Sequence, residues 1–258
     1  MVFLELVPSD KKTVIAESRW AFDSFKDIEG INIPDILRLS NRSYDIVQTL
    51  ASESIPNIPH IRICDFPIEK LLKLCEKLLS LHKWADMAKL AKTGGEASAM
   101  AVRIARAASG KSKIAFCGYH GWHDWYLSAN LKSTDGLKPH LMPGLDPAGV
   151  PKSLKDTAIP FNYNKFHELE KIVREHDIGT IKMEVSRNQK PENNFLKKVR
   201  ALCNKKKIIL IFDECSSGFR QSFGGLHKIY GVDPDMAWFG KALGNGYGVT
   251  AIIGKREI

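Results

Sequence analysis

The sequence has no apolar run that approaches the roughly 20 residues of a membrane-spanning helix. The N-terminus has no basic region before its short apolar stretch, and Glu5 interrupts that stretch. A secretory signal is therefore not expected. These absences predict a cytoplasmic protein with no membrane partner.

Cysteine is scarce, and no two of the five cysteines form a Cys-x-x-Cys pair. An odd number of widely spaced cysteines disfavours both a disulfide framework and a structural zinc site. We expect reduced, mostly buried thiols at Cys64, Cys75, Cys117, Cys203 and Cys215. Metal-ligand spacings, a serine nucleophile elbow and a dinucleotide fingerprint are also absent, so no metal is predicted.

The formal net charge is +9, with 38 basic and 29 acidic residues. Clustered basic residues would indicate contact with a nucleic-acid backbone. Here the charge is spread along the chain, and its densest cluster, 205–207, directly precedes an apolar strand, which is typical of a solvated turn. We therefore expect no nucleic-acid partner, and a surface that favours anionic substrates.

Residues 1–66 show no sustained hydrophobic period, and we assign no function to this N-terminal segment of uncertain structure; residues 55–59 are typical of an extended connection. From Pro67 onward helices and strands alternate, and the long stretch 128–163 has the composition of a loop. Helices are predicted at 68–79, 93–109, 165–176 and 194–203, and strands at 87–92, 113–118, 179–185, 207–212 and 236–239. The alternation predicts an α/β domain at 67–258 with a mainly parallel sheet covered by helices on both faces.

Ligands bind beyond the carboxyl ends of the strands in such sheets. The residues placed there are Gly94, Gly95, Tyr119, His120, Glu184, Asp213 and Lys241. The two glycines lie between a strand and a helix, where free backbone N–H groups either hold a phosphate or only form a tight turn.

The two charged residues that end apolar strands each allow two interpretations. Lys241 carries either a desolvated amine suited to imine formation or a side chain that extends to solvent. Asp213 either meets a protonated pyridine nitrogen or has a structural role, in which it caps the next turn or pairs with Arg220.

Aromatic residues follow the strand 113–118. Tyr119 and His120 are candidates to present a face to a flat ring, whereas His123 is expected to be structural. We expect packing or a subunit contact from Trp122, Trp125 and Tyr126. Glu184 either joins the site through hydrogen bonds or serves as a cap or surface residue.

Four motifs in this order resemble the class III pyridoxal-phosphate (PLP) aminotransferases. They are Thr-Gly-Gly-Glu-Ala at 93–97, Gly-Tyr-His-Gly at 118–121, Phe-Asp-Glu at 212–214 and Phe-Gly-Lys-Ala-Leu-Gly-Asn-Gly at 239–246. The resemblance implies the large domain of a fold type I PLP-dependent transferase. It also implies a homodimer with its sites at the subunit boundary.

The resemblance further implies a role for each matching residue. Lys241 would form the internal aldimine, Asp213 would keep the pyridine nitrogen protonated, and Tyr119 would stack on the ring. Gly94 and Gly95 would bind the phosphate through their amides, and Cys215 would fill the space against the other ring face. Ser216 stands where acetylornithine-type members have glutamine, and residues 216–220 are similar to the glutamate-1-semialdehyde aminomutase branch.

The function implied is PLP-dependent transfer of an amino group between an amine donor and a carbonyl acceptor. An aminomutase-like isomerase, which keeps both half-reactions on one substrate, is the alternative. The chain ends soon after the lysine motif, where the family continues into a C-terminal small domain. A truncated, catalytically impaired PLP-binding fragment is therefore a further expectation.

Overall fold

A computed structural model describes residues 2–5, 16, 18–19, 23, 28–33, 57–59, 68–132, 137, 145–186 and 188–258. The chain divides into two compact units, Met1–Leu71 and Leu72–Ile258. The division between residues 66 and 67 that the sequence suggests stays a prediction.

The first unit contains three short parallel strands, β1 (Val2–Glu5), β2 (Ile28–Ile33) and β3 (Asn57–Pro59), in that order. Strand β3 falls within the stretch 55–59 that the sequence predicts to be extended. Cys64 lies outside the described residues.

The second unit is built on a seven-stranded sheet in the order β4-β10-β9-β8-β7-β5-β6. Its strands are β4 (Met87–Ala91), β5 (Lys113–Cys117), β6 (Ala158–Pro160), β7 (Ile178–Glu184), β8 (Ile209–Asp213), β9 (Met236–Phe239) and β10 (Thr250–Gly254). Strand β10 runs antiparallel to both neighbours, while the pairs from β9 through β6 are parallel. The prediction of a mainly parallel α/β sheet is confirmed.

The helices are α1 (Ile68–Leu81), which belongs to this unit from Leu72 onward, α2 (Gly94–Ser109), α3 (Asp124–Leu127), α4 (Phe166–Glu175), α5 (Phe195–Lys206) and α6 (Leu226–Tyr230). Alternate residues of the central strands join two apolar clusters, because successive side chains of a strand point to opposite faces. Helix α2 packs on one face, with Ala97, Ala101 and Ala105 fully buried. Helices α1, α4 and α5 pack on the other face.

The sequence pattern does not predict two of the strands, β6 and β10. The stretch 128–163, predicted to be a loop, contains β6 and two 3-10 helices, Ser128–Leu131 and Lys152–Leu154. Strand β6 has three residues, too few to show a period. Strand β10 follows a glycine-rich segment and gains its strand character from pairing with both β4 and β9.

Helix α2 begins and ends with the capping signals that its sequence predicts. The Thr93 hydroxyl accepts a hydrogen bond from the Glu96 amide, and the Glu96 carboxylate accepts one from the Thr93 amide. Gly110 ends the helix in the left-handed conformation with φ of 66°. In the part of the chain that the structure describes, no helix has the length and apolarity to cross a membrane.

Candidate active site

The sheet places the predicted site residues along one edge. Strands β4, β9, β8, β7 and β5 all end at this edge because β10 reverses direction between β4 and β9. The Thr250 hydroxyl at the start of β10 donates to the Thr93 carbonyl oxygen at 3.3 Å, which fixes the turn after β4 beside β10. The sequence alone predicts a shared edge, but not the order of the strands along it.

The amino end of helix α2 opens onto this edge. Thr93 satisfies the amides of Glu96 and Ala97, whereas the amides of Gly94 and Gly95 have no hydrogen-bond acceptor among the described residues. Free amides at the positive end of a 16-residue helix favour an anion such as a phosphate.

Close neighbours explain why both residues are glycines. A Cβ atom at Gly94 would lie 3.2 Å from the Trp238 indole and 3.5 Å from the Cys215 sulfur. A Cβ atom at Gly95 would lie only 2.8 Å from the His123 imidazole. His123 is half-buried. The sequence predicts a structural role for His123, but it does not predict that the imidazole lies against the start of α2.

Asp213 ends β8 with 4% of its surface exposed. Its Oδ1 atom accepts a hydrogen bond from the Cys215 amide at 3.0 Å, so the residue does cap the following turn. Burial would raise the pKa of Asp213, but Lys182, His120 and the Cys215 amide outweigh it and hold the pKa below its ordinary value. The carboxylate is therefore ionised, and among the described residues it pairs with the charged Lys182 and hydrogen bonds with His120, not with Arg220.

His120 is buried and donates from Nδ1 to Asp213 Oδ2 at 2.7 Å. Its Nε2 atom lies 3.0 Å from the Cys117 carbonyl oxygen. Burial and the positive charge of Lys182 lower the pKa of His120 to about 4. The His120 side chain is 0% exposed and meets Asp213 through Nδ1, and its role towards a flat ring stays a prediction.

Lys241 follows β9 and adopts φ of 47°, in the left-handed region that disfavours residues with a side chain. Its side chain is exposed, and its Nζ atom donates to the Ser216 hydroxyl at 2.7 Å. Of the two interpretations left open, the solvent-facing lysine is therefore observed. Strained backbone conformations of this kind cluster at functional residues.

Glu184 and Tyr119 are joined across the ends of β7 and β5. Glu184 is 7% exposed, and its carboxylate accepts a hydrogen bond from the Tyr119 amide at 3.1 Å. The Tyr119 ring meets the ring of Tyr126 edge to face at 6.2 Å. Trp125 and Tyr126 pack in the core, whereas Trp122 is 68% exposed.

Cys215 lies between the helix start and the β9 turn. Its sulfur is 3.1 Å from the position that a Cβ atom would take on Gly240. Burial and the nearby Asp213 carboxylate raise the pKa of the thiol to about 12, so it stays protonated. The four described cysteines are all free, and Cys117 and Cys203 are buried.

Sequence reasoning missed Lys182, which is fully buried in β7 with its Nζ atom 3.8 Å from Asp213 Oδ2. The available signal was a single lysine between apolar residues in the interior of a predicted strand. Such a lysine requires a buried partner, since both faces of this sheet are covered.

A cleft of about 520 Å³ adjoins the same edge beside Gly118 and Glu184. It is lined by polar side chains, including those of Asn162, Tyr163, Asn164, Asn188, Gln189 and Glu192. The cleft provides space for a polar small molecule next to the residues described above.

The arrangement of these residues is matched by a known family. The model of the family described as aminotransferase class-III matches residues 41–258. The chain belongs to the class III aminotransferase family. Class III aminotransferases use pyridoxal 5′-phosphate. The family match begins at residue 41, ahead of residue 67, where the predicted α/β domain begins.

Two curated relatives of this class III chain represent different reactions. A 3-aminobutyryl-CoA aminotransferase of Cloacimonas acidaminovorans is 38% identical over 192 residues, which cover 71% of this chain and 42% of that protein. A glutamate-1-semialdehyde 2,1-aminomutase of Campylobacter hominis is 38% identical over 192 residues, with 72% and 42% covered. The chain thus spans less than half the length of these relatives.

Solved structures confirm the fold of this class III chain. An omega-transaminase from Sphaerobacter thermophilus is 26% identical with a TM-score of 0.63, covering 75% of this chain and 46% of that one. The FumI protein of Sphingopyxis sp. MTA144, in its PLP internal aldimine form, is 25% identical with a TM-score of 0.60, covering 73% and 44%. The predicted fold type I large domain is confirmed.

Proposed function

We propose that this chain binds PLP at the carboxyl edge of its sheet and moves an amino group between an amine donor and a carbonyl acceptor. One observation carries the proposal: a buried, ionised Asp213 stands at the same edge as the free amides that begin helix α2 and as Lys241. An anion site, a carboxylate and an amine are the groups that PLP needs from a protein.

The residues present fit this cofactor. The amides of Gly94 and Gly95 would hold its phosphate, since their glycines leave the helix start open and His123 and Trp238 close its sides. Asp213 Oδ1 has one amide partner, so the carboxylate retains capacity to accept a hydrogen bond from a pyridine N–H. Tyr119 and Cys215 would contact the two ring faces.

PLP, when bound, supplies an aldehyde that condenses with amines and a ring that accepts electrons. The Lys241 amine would hold the cofactor and, with an amine substrate bound, would move a proton between substrate and cofactor carbons. Ser216 orients the Lys241 amine through the 2.7 Å hydrogen bond. Lys182 and the hydrogen bond from His120 hold the pKa of Asp213 low, so the carboxylate is anionic where it would meet the cofactor.

Glu184 would act on the site indirectly, through its hydrogen bond to Tyr119. Its carboxylate holds the Tyr119 amide and so fixes the backbone that carries the aromatic ring. The polar cleft beside Glu184 would receive the part of the substrate that extends beyond the cofactor. The carboxamides and the carboxylate that line this cleft favour a substrate with several hydrogen-bonding groups over an apolar one.

The second candidate function is an aminomutase-like isomerisation. The glutamate-1-semialdehyde 2,1-aminomutase relative is as similar to this chain as the aminotransferase relative, at 38% identity each. The same residues serve both reactions, because an isomerase of this kind performs both half-reactions on one substrate.

Association into a homodimer is also part of the proposal, motivated by the family's usual assembly. Sedimentation at several protein concentrations would test it. A species with the mass of one 28.9 kDa chain at every concentration, with and without PLP, would contradict it.

The cofactor assignment is tested by adding PLP to the purified chain and recording the visible absorbance of a lysine-bound cofactor. We expect the band in the wild type and in Lys205→Ala, which changes an exposed lysine of α5, but not in Lys241→Ala. Persistence of the band in Lys241→Ala would refute the role of Lys241. Loss of the band on adding amines, followed by a paired screen of amine donors and keto acceptors, then separates transfer, isomerisation and binding without turnover.

A further inference from the structure

Lys182 lies in the interior directly beneath the proposed cofactor site. Its Nζ atom is 5.1 Å from the centre of the Trp238 ring and 5.8 Å from that of Trp125. The Nζ atom has no hydrogen-bond partner among the described residues, and its side chain is 0% exposed. Among the described residues, Asp213 forms an ion pair with this amine at 3.8 Å, and two aromatic faces flank it.

The charges around Lys182 are few. Asp213 is the nearest carboxylate, and it already accepts a hydrogen bond from His120 on the oxygen that faces Lys182. Glu184, at the end of β7, also favours the charged form of Lys182, whereas the protonated Cys215 thiol adds no charge. The buried Asp213 carboxylate therefore lies between Lys182 and the open carboxyl edge of the sheet.

We propose that Lys182 is the counter-ion of Asp213 in the cofactor-free chain and loses its proton when a protonated pyridine ring binds at Asp213. This inference rests on the proposed PLP site and extends it to a residue that does not touch the cofactor. Lys182 is thus a positioning residue, which sets the charge that the ring meets.

The reason is charge balance in a buried site. With Lys182 protonated, Asp213 is already neutralised, and a pyridinium would place a second cation beside the same buried carboxylate. Deprotonation of Lys182 removes that excess: one N–H bond of the ammonium breaks, its electron pair stays on nitrogen, and the proton passes to solvent buffer. Burial already lowers the pKa of Lys182 to about 8, so a second nearby cation moves it below neutral pH.

Proton release during binding of pyridoxamine 5′-phosphate tests the proposal. This probe carries the same phosphate and pyridine but no aldehyde, so Lys241 forms no bond with it. Calorimetric titrations at neutral pH, in buffers of different ionisation enthalpy, give the number of protons exchanged on binding. We expect the wild type to release about one proton more per molecule bound than Lys182→Met, with Lys205→Met behaving as the wild type.

Lys182→Arg provides the second arm, because arginine stays charged at any accessible pH. We expect it to bind pyridoxamine 5′-phosphate at least about ten-fold more weakly than Lys182→Met, without the extra proton release. Equal proton release by the wild type and Lys182→Met would overturn the inference and leave the PLP site standing. Failure of the wild type to bind any probe would instead overturn the proposed function, and the inference with it.

A readout on the wild type covers the case in which Lys182→Met does not fold. Lysine-labelled NMR of the wild type, with the Lys182 signal identified by its absence from Lys182→Arg, follows the amine directly. The signal should titrate near pH 8 without cofactor and show a neutral amine at pH 7 with pyridoxamine 5′-phosphate bound. A Lys182 signal that stays charged at pH 7 in the bound state would contradict the proposal.

Discussion

The Lys241 amine donates a hydrogen bond to the Ser216 hydroxyl at 2.7 Å, which links the turn after β9 to the turn after β8. Both groups are accessible from solvent, with Lys241 exposed and Ser216 half-buried. The contact therefore orients the Lys241 amine and leaves it accessible to solvent. Two turns that are 25 positions apart in sequence become one site through this pair.

Replacement of Ser216 tests that aiming role. Ser216→Ala removes the acceptor, and a solvent-accessible hydrogen bond contributes about 1 kcal/mol, so we expect the single-turnover rate with an amine donor to fall by up to about ten-fold. Ser216→Thr keeps a hydroxyl and should retain most of the rate. Unchanged kinetics in Ser216→Ala would show that Lys241 needs no orienting partner.

The backbone at Lys241 gives a stability prediction. A residue with a side chain in the left-handed region costs about 1 kcal/mol relative to glycine, and Lys241 has φ of 47°. We expect Lys241→Gly to have a free energy of unfolding about 1 kcal/mol higher than Lys241→Ala, measured by denaturant titration without cofactor. Equal stabilities would argue that the positive φ is not maintained in solution.

The pair formed by Gly95 and His123 predicts a coupled effect. A threonine at position 95 would place its Cβ atom only 2.8 Å from the His123 ring. We expect Gly95→Thr to destabilise the wild type by about 1 to 2 kcal/mol, and to cost about 1 kcal/mol less in a His123→Ala background. Additive effects in this double-mutant cycle would show that the His123 ring moves aside freely.

The contacts of Asp235 predict a pH-dependent contribution to the free energy of unfolding. Asp235 precedes β9 and so lies at the opposite edge of the sheet from the site residues. Its carboxylate contacts Arg200 at 2.9 Å and Lys255 at 2.7 Å, and it accepts from the Leu210 amide at 2.9 Å. Burial would raise the pKa of Asp235, but the Leu210 amide, Lys255 and Arg200 together lower it below the ordinary value of 3.8. The stabilisation is therefore complete above that value and is lost as the pH falls through the lowered pKa.

The corresponding variant is Asp235→Asn, which keeps the shape and removes the charge. At pH 7 we expect it to lower the free energy of unfolding by about 2 kcal/mol. The difference from the wild type should shrink as the pH falls below 3.8, where the wild-type carboxylate becomes protonated in the unfolded chain and then in the folded one. A difference that is constant between pH 7 and acidic pH would refute the assigned ion pairs.

Local patterns predicted most of the second unit correctly. The apolar runs that end at Asp213 and Phe239 form β8 and β9, and the turn at Thr93 begins a capped helix. These succeed because strand burial and helix capping depend on neighbouring residues. Strands β6 and β10 were missed, since a three-residue strand has no period and β10 depends on partners that are distant in the chain.

The candidate site divides in the same way. The sequence by itself determined which residues stand at the carboxyl ends of strands, and its four motifs determined the family, because both depend on the order and spacing of residues along the chain. Only the tertiary structure decided that His120 turns inward to Asp213, that His123 covers Gly95, and that Lys182 is buried between two indoles. These are contacts between different strands and turns, and the packing of the sheet against α2 and α3 fixes them.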